Sequence, residues 1–191
     1  MHIEWTNMWV IAAEIAVALI FFVSVFFYLR GRRHRTEGLR TRFGPEYGRA
    51  ITAHGSKNKA EGKLADRETR VEGLKIRQLG ATERERFIAD WQAVQSRFLD
   101  HPKGAVTEAD ELISALLLAR GYPAAEFDQR AADISVNHPR LVQNYRTAHD
   151  VAVRMGRGEA TTEDLRAAMI EYRSLFDELV QVETVAVRNA A

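Results

Sequence analysis

The chain has 191 residues, a formal net charge of +1 and no cysteine. The absence of cysteine excludes disulfides, thiolate metal sites and cysteine nucleophiles. The small net charge hides an asymmetry, because residues 30–80 carry 14 basic and 6 acidic side chains, a net charge of +8, whereas residues 81–191 carry 13 basic and 18 acidic side chains, a net charge of −5.

The N-terminal part of the sequence is dominated by an apolar run over residues 9–29, which follows a short polar segment, residues 1–8. A helix of 21 residues matches the roughly 30 Å hydrocarbon core of a bilayer, so the run predicts a transmembrane helix. No arginine or lysine precedes the run and four arginines follow it, which predicts an external N-terminus and a cytoplasmic remainder. We therefore expect a single-pass protein of the cell inner membrane. A cleaved signal peptide is the alternative, but the run is long and lacks a basic leader.

Two kinds of contact are predicted for this segment. The small side chains of Ala12 and Ala16 allow a partner helix to approach closely, and the carboxyl group of Glu14 would hydrogen-bond to that partner inside the membrane. The alternative for Glu14 is a side chain that reaches the outer interface. The arginines that follow the run are predicted to contact anionic lipid head groups; they are Arg30, Arg32, Arg33 and Arg35.

Residues 30–80 have too few apolar side chains for a core of their own, and we interpret them as a basic juxtamembrane connector. Phe43, Tyr47 and Ile51 have the spacing of one helix face, which predicts a short amphipathic helix that begins near Pro45. Residues 59–71 are charged nearly all round, as in a solvent-exposed helix. Nucleic-acid binding is not expected, because the basic residues alternate with acids and lack aromatic neighbours.

Residues 81–185 have the pattern of a helical bundle. Thr82 and Glu85 have the spacing of a capping box, and Phe87, Trp91 and Val94 follow at helical intervals. Four further apolar stripes with helical spacing follow, and strand-like alternation is absent. The sequence therefore predicts an all-α chain with a transmembrane helix, a polar helical connector, a compact bundle of about five helices and a tail over residues 186–191.

Several strings resemble those of a widespread family of uncharacterised bacterial proteins that have one N-terminal transmembrane helix and a cytoplasmic helical domain. The resemblance covers residues 39–182 and implies this architecture without implying an activity. Gly48 departs from the family pattern, in which an aspartate follows the Glu-Tyr pair. The strings that carry the resemblance are RFGPEY at 42–47, ADWQAVQSRF at 89–98, RGYP at 120–123, DISVNHP at 133–139, Tyr145-Arg146 and YRSLFDEL at 172–179.

The sequence contains no catalytic, cofactor-binding or metal-binding signature. His138 and His149, like the other histidines, do not form a spaced metal-binding pair, and the glycines do not form a phosphate-binding loop. Carboxylates such as Asp133 fit the outer faces of amphipathic helices. Tyr122, in the Arg-Gly-Tyr-Pro turn, is the candidate contact with a protein partner.

We therefore predict a non-enzymatic, membrane-anchored interaction protein that presents a cytoplasmic helical bundle to a protein partner. The alternative is a structural accessory subunit of a larger respiratory or photosynthetic membrane complex, held through its transmembrane helix and its basic connector. The expected partners are membrane lipids and another membrane or membrane-associated protein. No cofactor, metal or nucleic acid is expected.

Overall fold

The computed structural model describes the backbone of residues 3–181 and the side chains of residues 15–181, except those of residues 28, 29, 32 and 33. The described part is all-α. Its helices are α1 (Ile3–Phe43), α2 (Pro45–His54), α3 (Lys57–Glu72), α4 (Ala81–Arg97), α5 (Pro102–Ala119), α6 (Phe127–Asn137), α7 (Leu141–Gly156) and α8 (Thr162–Gln181). The chain divides into two compact units, Met1–Arg42 and Phe43–Ala191.

The predicted fold class is wrong in two respects. Among the described residues, no helix is both long enough and apolar enough to cross a membrane. The described part also has eight helices, where a bundle of about five was predicted beside the transmembrane helix. The count is larger because the polar region between residues 45 and 72 folds into two helices, α2 and α3, that belong to the same compact unit as α4 to α8.

The Met1–Arg42 unit consists of most of α1. Its described apolar side chains between residues 15 and 27 are exposed, apart from half-buried Val25, whereas Leu39 is buried. Phe22 and Phe27 expose 69% and 66% of their surface. The aromatic rings contact their sequence neighbours edge to face, with centroid distances of 6.0 Å for Phe21 and Phe22 and 5.8 Å for Phe26 and Phe27.

The core of the Phe43–Ala191 unit is formed by the apolar faces of α4 to α8, with α8 packed against both α5 and α7. The predicted stripe of Phe87, Trp91 and Val94 is buried on α4. The stripe predicted on the last helix is also buried on α8: Leu165, Ala168, Met169, Tyr172, Leu175, Phe176 and Leu179. Helical periodicity therefore identified the inward faces of both helices.

Helix α3 buries one face, although its sequence predicts a helix that is solvated all round. Leu64 and Val71 are buried, and α3 packs against α2 and α6. The hydroxyl group of Tyr47 donates a hydrogen bond of 2.8 Å to the carboxylate of Glu61, which is also buried. The buried charge of Glu61 is tolerated because it has this donor and Lys57 at 3.8 Å.

Two ion pairs tie α2 and α3 to the rest of the unit. The Nη2 atom of Arg146 on α7 donates to Oε2 of Glu46 on α2 at 2.9 Å, and the Glu46 carboxylate is 3% exposed. The Nε atom of Arg70 on α3 donates to Oδ1 of buried Asp133 on α6 at 2.9 Å. Removing Arg146 or Arg70 would leave a buried carboxylate without its partner, which is strongly destabilising. The two pairs therefore hold α2 and α3 in position.

The segment between α3 and α4 is held against the end of α5. The backbone N–H of Arg77 donates to the carbonyl oxygen of Arg120 at 2.9 Å, and Nη1 of Arg120 donates to the carbonyl oxygen of Leu179 at 2.8 Å. Gly121 has a φ of +93°, and a Cβ atom at this position would lie 2.3 Å from the carbonyl oxygen of Lys75. Only glycine fits both this backbone conformation and this close approach.

Side-chain hydrogen bonds cap the N-terminal ends of α4 and α8. The predicted capping box at Thr82 and Glu85 is wrong by two residues, since the carboxylate that reaches back is Glu83, which accepts a 3.0 Å hydrogen bond from the N–H of Gly80. At α8 the cap is reciprocal. The Oγ1 atom of Thr161 accepts a hydrogen bond from the N–H of Asp164, and the Asp164 carboxylate accepts one from the N–H of Thr161.

Candidate protein-binding groove

An open groove with a volume of about 390 Å³ lies between α4 and α8. Helix α5 packs against both of these helices and holds them as the two walls of the groove. The side chains of Ile88 and Gln92 come from α4, whereas Asp177 and Val180 come from α8.

The floor of the groove is an aromatic stack. The rings of Trp91 and Phe176 lie nearly parallel, with an interplanar angle of 14° and a centroid distance of 4.8 Å. Both side chains are almost fully buried, at 4% and 3% exposure. The Nε1 atom of Trp91 is also buried and has no hydrogen-bond partner among the described residues. The floor is therefore a rigid apolar base that its neighbours cover almost completely.

The rim of the groove is polar and carries both signs of charge. Nε of Arg173 lies 3.5 Å from Oδ2 of Asp177, and both side chains are about half exposed. Ile88 stands beside the floor with 38% of its surface exposed. A desolvated aromatic centre with a polar, solvated rim is the arrangement found at the energetic centre of protein–protein interfaces.

The residues predicted to contact a membrane partner or lipid belong to α1. Ala16, Arg30 and Arg35 are exposed. The other predicted contacts are side chains outside the described residues: Ala12, Glu14, Arg32 and Arg33.

Tyr122, the candidate contact in the Arg-Gly-Tyr-Pro turn, is buried rather than presented to a partner. Its side chain is 4% exposed, and its hydroxyl oxygen accepts a 3.2 Å hydrogen bond from Nδ2 of Asn137. Burial raises the pKa of the Tyr122 hydroxyl. The expectation of surface presentation is corrected because the turn at Gly121 directs the chain back onto the core.

A polar cluster lies inside the bundle. The hydroxyl group of Tyr172 donates to Oδ1 of Asp110 at 2.9 Å, and Nδ1 of His149 lies 3.6 Å from the same oxygen. Burial of Asp110 would raise its pKa, but the His149 ring, the Tyr172 hydroxyl and the charge of Arg130 outweigh burial and hold the pKa below its usual range. Burial raises the pKa of nearby Tyr145 to about 12.

The part of the chain that the structure describes contains no group of three or more metal-ligating side chains arranged to hold a metal ion. The groove itself was not predicted from the sequence, because Trp91 and Phe176 were interpreted as core residues. One signal was present: Ile88 directly follows the buried stripe residue Phe87, so it lies off the predicted apolar face.

Comparison of the chain with family models, with curated proteins and with solved structures finds no match. The geometry of the described residues therefore carries the functional argument.

Proposed function

We propose that this protein is a non-enzymatic interaction protein, and that its Phe43–Ala191 unit holds a protein partner in the groove between α4 and α8. The observation that carries this proposal is the floor formed by Trp91 and Phe176. This rigid pair is almost fully buried and shapes the concave site, and the exposed side chain of Ile88 beside it gives a partner apolar contact.

The groove also indicates how the partner would bind. An apolar side chain of a bound segment would pack between Ile88 and Val180, and polar residues on either side of it would meet the charged rim.

We place this interaction at a membrane. The exposed apolar side chains of residues 15–27 support this location, because soluble proteins rarely leave so large a contiguous apolar patch in water. Arg30 and Arg35 follow this patch and are exposed, where each basic side chain near an anionic surface contributes about 1 kcal/mol. The partner class is therefore another membrane or membrane-associated protein.

Co-purification with matched variants tests the proposal. The affinity-tagged full chain is isolated from its native cells in mild detergent as wild type, as Ile88→Arg and as Ile170→Arg. Ile170 is the control because it is an exposed isoleucine on α8, at 63% exposure, that does not line the groove. We expect Ile88→Arg to lose at least about tenfold in recovered partner, a loss of about 1.4 kcal/mol of binding, and Ile170→Arg to match the wild type.

Equal recovery from all three proteins, at equal helicity by circular dichroism, would contradict the groove as the binding site. Recovery of several membrane proteins in fixed ratio, all of them lost with Ile88→Arg, would favour the role of an accessory subunit.

A further inference from the structure

A second concave site lies between α2, α6 and α7, with a volume of about 660 Å³. This volume lies within the range of about 300–1,000 Å³ that is usual for small-molecule sites. Helix α2 contributes Arg49, α6 contributes Glu126 and Asp128, and α7 contributes Arg146 and Val153. All of these residues belong to the Phe43–Ala191 unit.

Charges of both signs face this cavity without neutralising one another. Arg49, Glu126 and Asp128 are exposed, and within the described part of the chain none of them forms an ion pair or a side-chain hydrogen bond. The carboxylates lie at the N-terminus of α6, where they stabilise the helix dipole. This structural role does not account for Arg49. The third carboxylate of the lining, Asp150, is engaged by Nε of Arg154 at 3.3 Å.

Arg146 also lines the cavity. Its Nη2 atom is bonded to Oε2 of buried Glu46, and the same oxygen lies 3.8 Å from Nη1 of Arg67. Its Nε atom is buried and has no partner among the described residues. The side chain is 11% exposed and the Glu46 pair holds it in place, so Arg146 forms a fixed part of the cavity wall.

One wall of the cavity is apolar. The ring of Phe127 is stacked on the ring of His149, with a centroid distance of 3.6 Å and an interplanar angle of 8°, and it also contacts Tyr145. Val153 exposes 40% of its surface to the same region. The site therefore offers a cationic part, an anionic part and an apolar part.

We infer that this cavity binds a small zwitterion of the amino-acid class with an apolar side chain. Its carboxylate would be held by Arg49, its ammonium group by Glu126 and Asp128, and its side chain by the apolar wall. A ligand with a single charge would meet an unneutralised like charge on the other side of the cavity. A zwitterion pairs its carboxylate with the arginine and its ammonium group with the two carboxylates, so the charges of the lining favour it over singly charged ligands.

Isothermal titration of the full chain in detergent tests the inference with L-leucine as the probe. N-acetyl-L-leucine lacks the ammonium charge and L-leucinamide lacks the carboxylate. We expect saturable binding of L-leucine with a Kd below about 10 mM, and at least tenfold weaker binding of both derivatives. Arg49→Ala and Asp128→Asn should each weaken leucine binding at least tenfold. The control Arg166→Ala removes an exposed arginine that pairs with Glu163 on α8, and it should bind leucine as the wild type does.

The inference would be overturned by absence of saturable leucine binding, by derivatives that bind as tightly as leucine, or by equal binding of Arg49→Ala and Arg166→Ala. The site does not depend on the groove between α4 and α8. Ile88→Arg should therefore retain leucine binding, so a failure here and a failure of the proposed function are distinguishable.

Discussion

The close approach of Gly121 to Lys75 allows a sharp test of how the segment before α4 is attached to the bundle. In Gly121→Ala the new Cβ would lie 2.3 Å from the Lys75 carbonyl oxygen, about 1 Å inside ordinary van der Waals contact, at a φ of +93°. The positive φ alone costs an alanine about 1–2 kcal/mol. The new Cβ would also displace the backbone of Lys75 and strain the hydrogen bond between Arg77 and Arg120. This over-packing adds about 1–3 kcal/mol to the loss of stability.

Gly158→Ala is the matched control, because Gly158 also has a positive φ, of +76°, but an added Cβ would meet no atom within 4 Å. Urea unfolding of the full chain in detergent, followed by circular dichroism, gives the free energy of unfolding of each variant. We expect Gly121→Ala to lose about 2–5 kcal/mol and Gly158→Ala about 1–2 kcal/mol. Equal losses would mean that the packing of residues 74–80 onto the end of α5 is absent in solution.

Three further predictions concern buried charges and α1. Glu46→Leu should lower the free energy of unfolding by about 3–5 kcal/mol because Arg146 and Arg67 both lose their carboxylate partner. The double variant Glu46→Leu/Arg146→Met should lose clearly less than the sum of the two single variants, and additive losses in urea titrations would contradict the buried pair. Tyr172→Phe should lose about 1.5–3 kcal/mol at pH 7. Because the folded pKa of Asp110 lies below its usual 3.8, the stability from its carboxylate is present above about pH 4 and is lost as the pH falls through the folded pKa. The difference in free energy of unfolding between wild type and Tyr172→Phe should therefore become smaller in acid. A difference that does not change with pH would contradict a hydrogen bond from Tyr172 to the Asp110 carboxylate. Phe22→Ser/Phe26→Ser should bind anionic liposomes at least about tenfold more weakly than the control Ile170→Ser. Equal co-sedimentation of the two variants with liposomes would contradict lipid contact by α1.

The apolar faces of α4 and α8 were predictable because they depend on local periodicity alone. Trp91 and Phe176 each fall on a stripe with helical spacing, and both are buried where the stripe places them. Their stacking across two helices was not predictable, since 85 residues separate them in the sequence. The groove depends on that long-range packing, so the sequence indicates it only through Ile88, which lies off the predicted apolar face.

The role of α2 and α3 was not predictable for a related reason. From the sequence, charges on a helix such as α3 can be paired only with near neighbours on the same helix, and this predicts a solvent-exposed helix. In the structure Arg70 instead pairs with Asp133, and Glu46 pairs with Arg146 at a separation of 100 residues. A single sequence does not identify such distant partners. Tyr122 was misjudged in a similar way, because its turn is folded inward by contacts with residues 74–80.

Site-specific photo-crosslinking tests the central claim, that the groove between α4 and α8 holds a protein partner, most directly. A photoreactive amino acid replaces Ile88 in one full-length chain and Ile170 in another, and both chains are irradiated in their native cells. We expect a discrete crosslinked protein from position 88 and none from position 170. Identical crosslinking patterns from the two positions, or no crosslink from position 88, would contradict it.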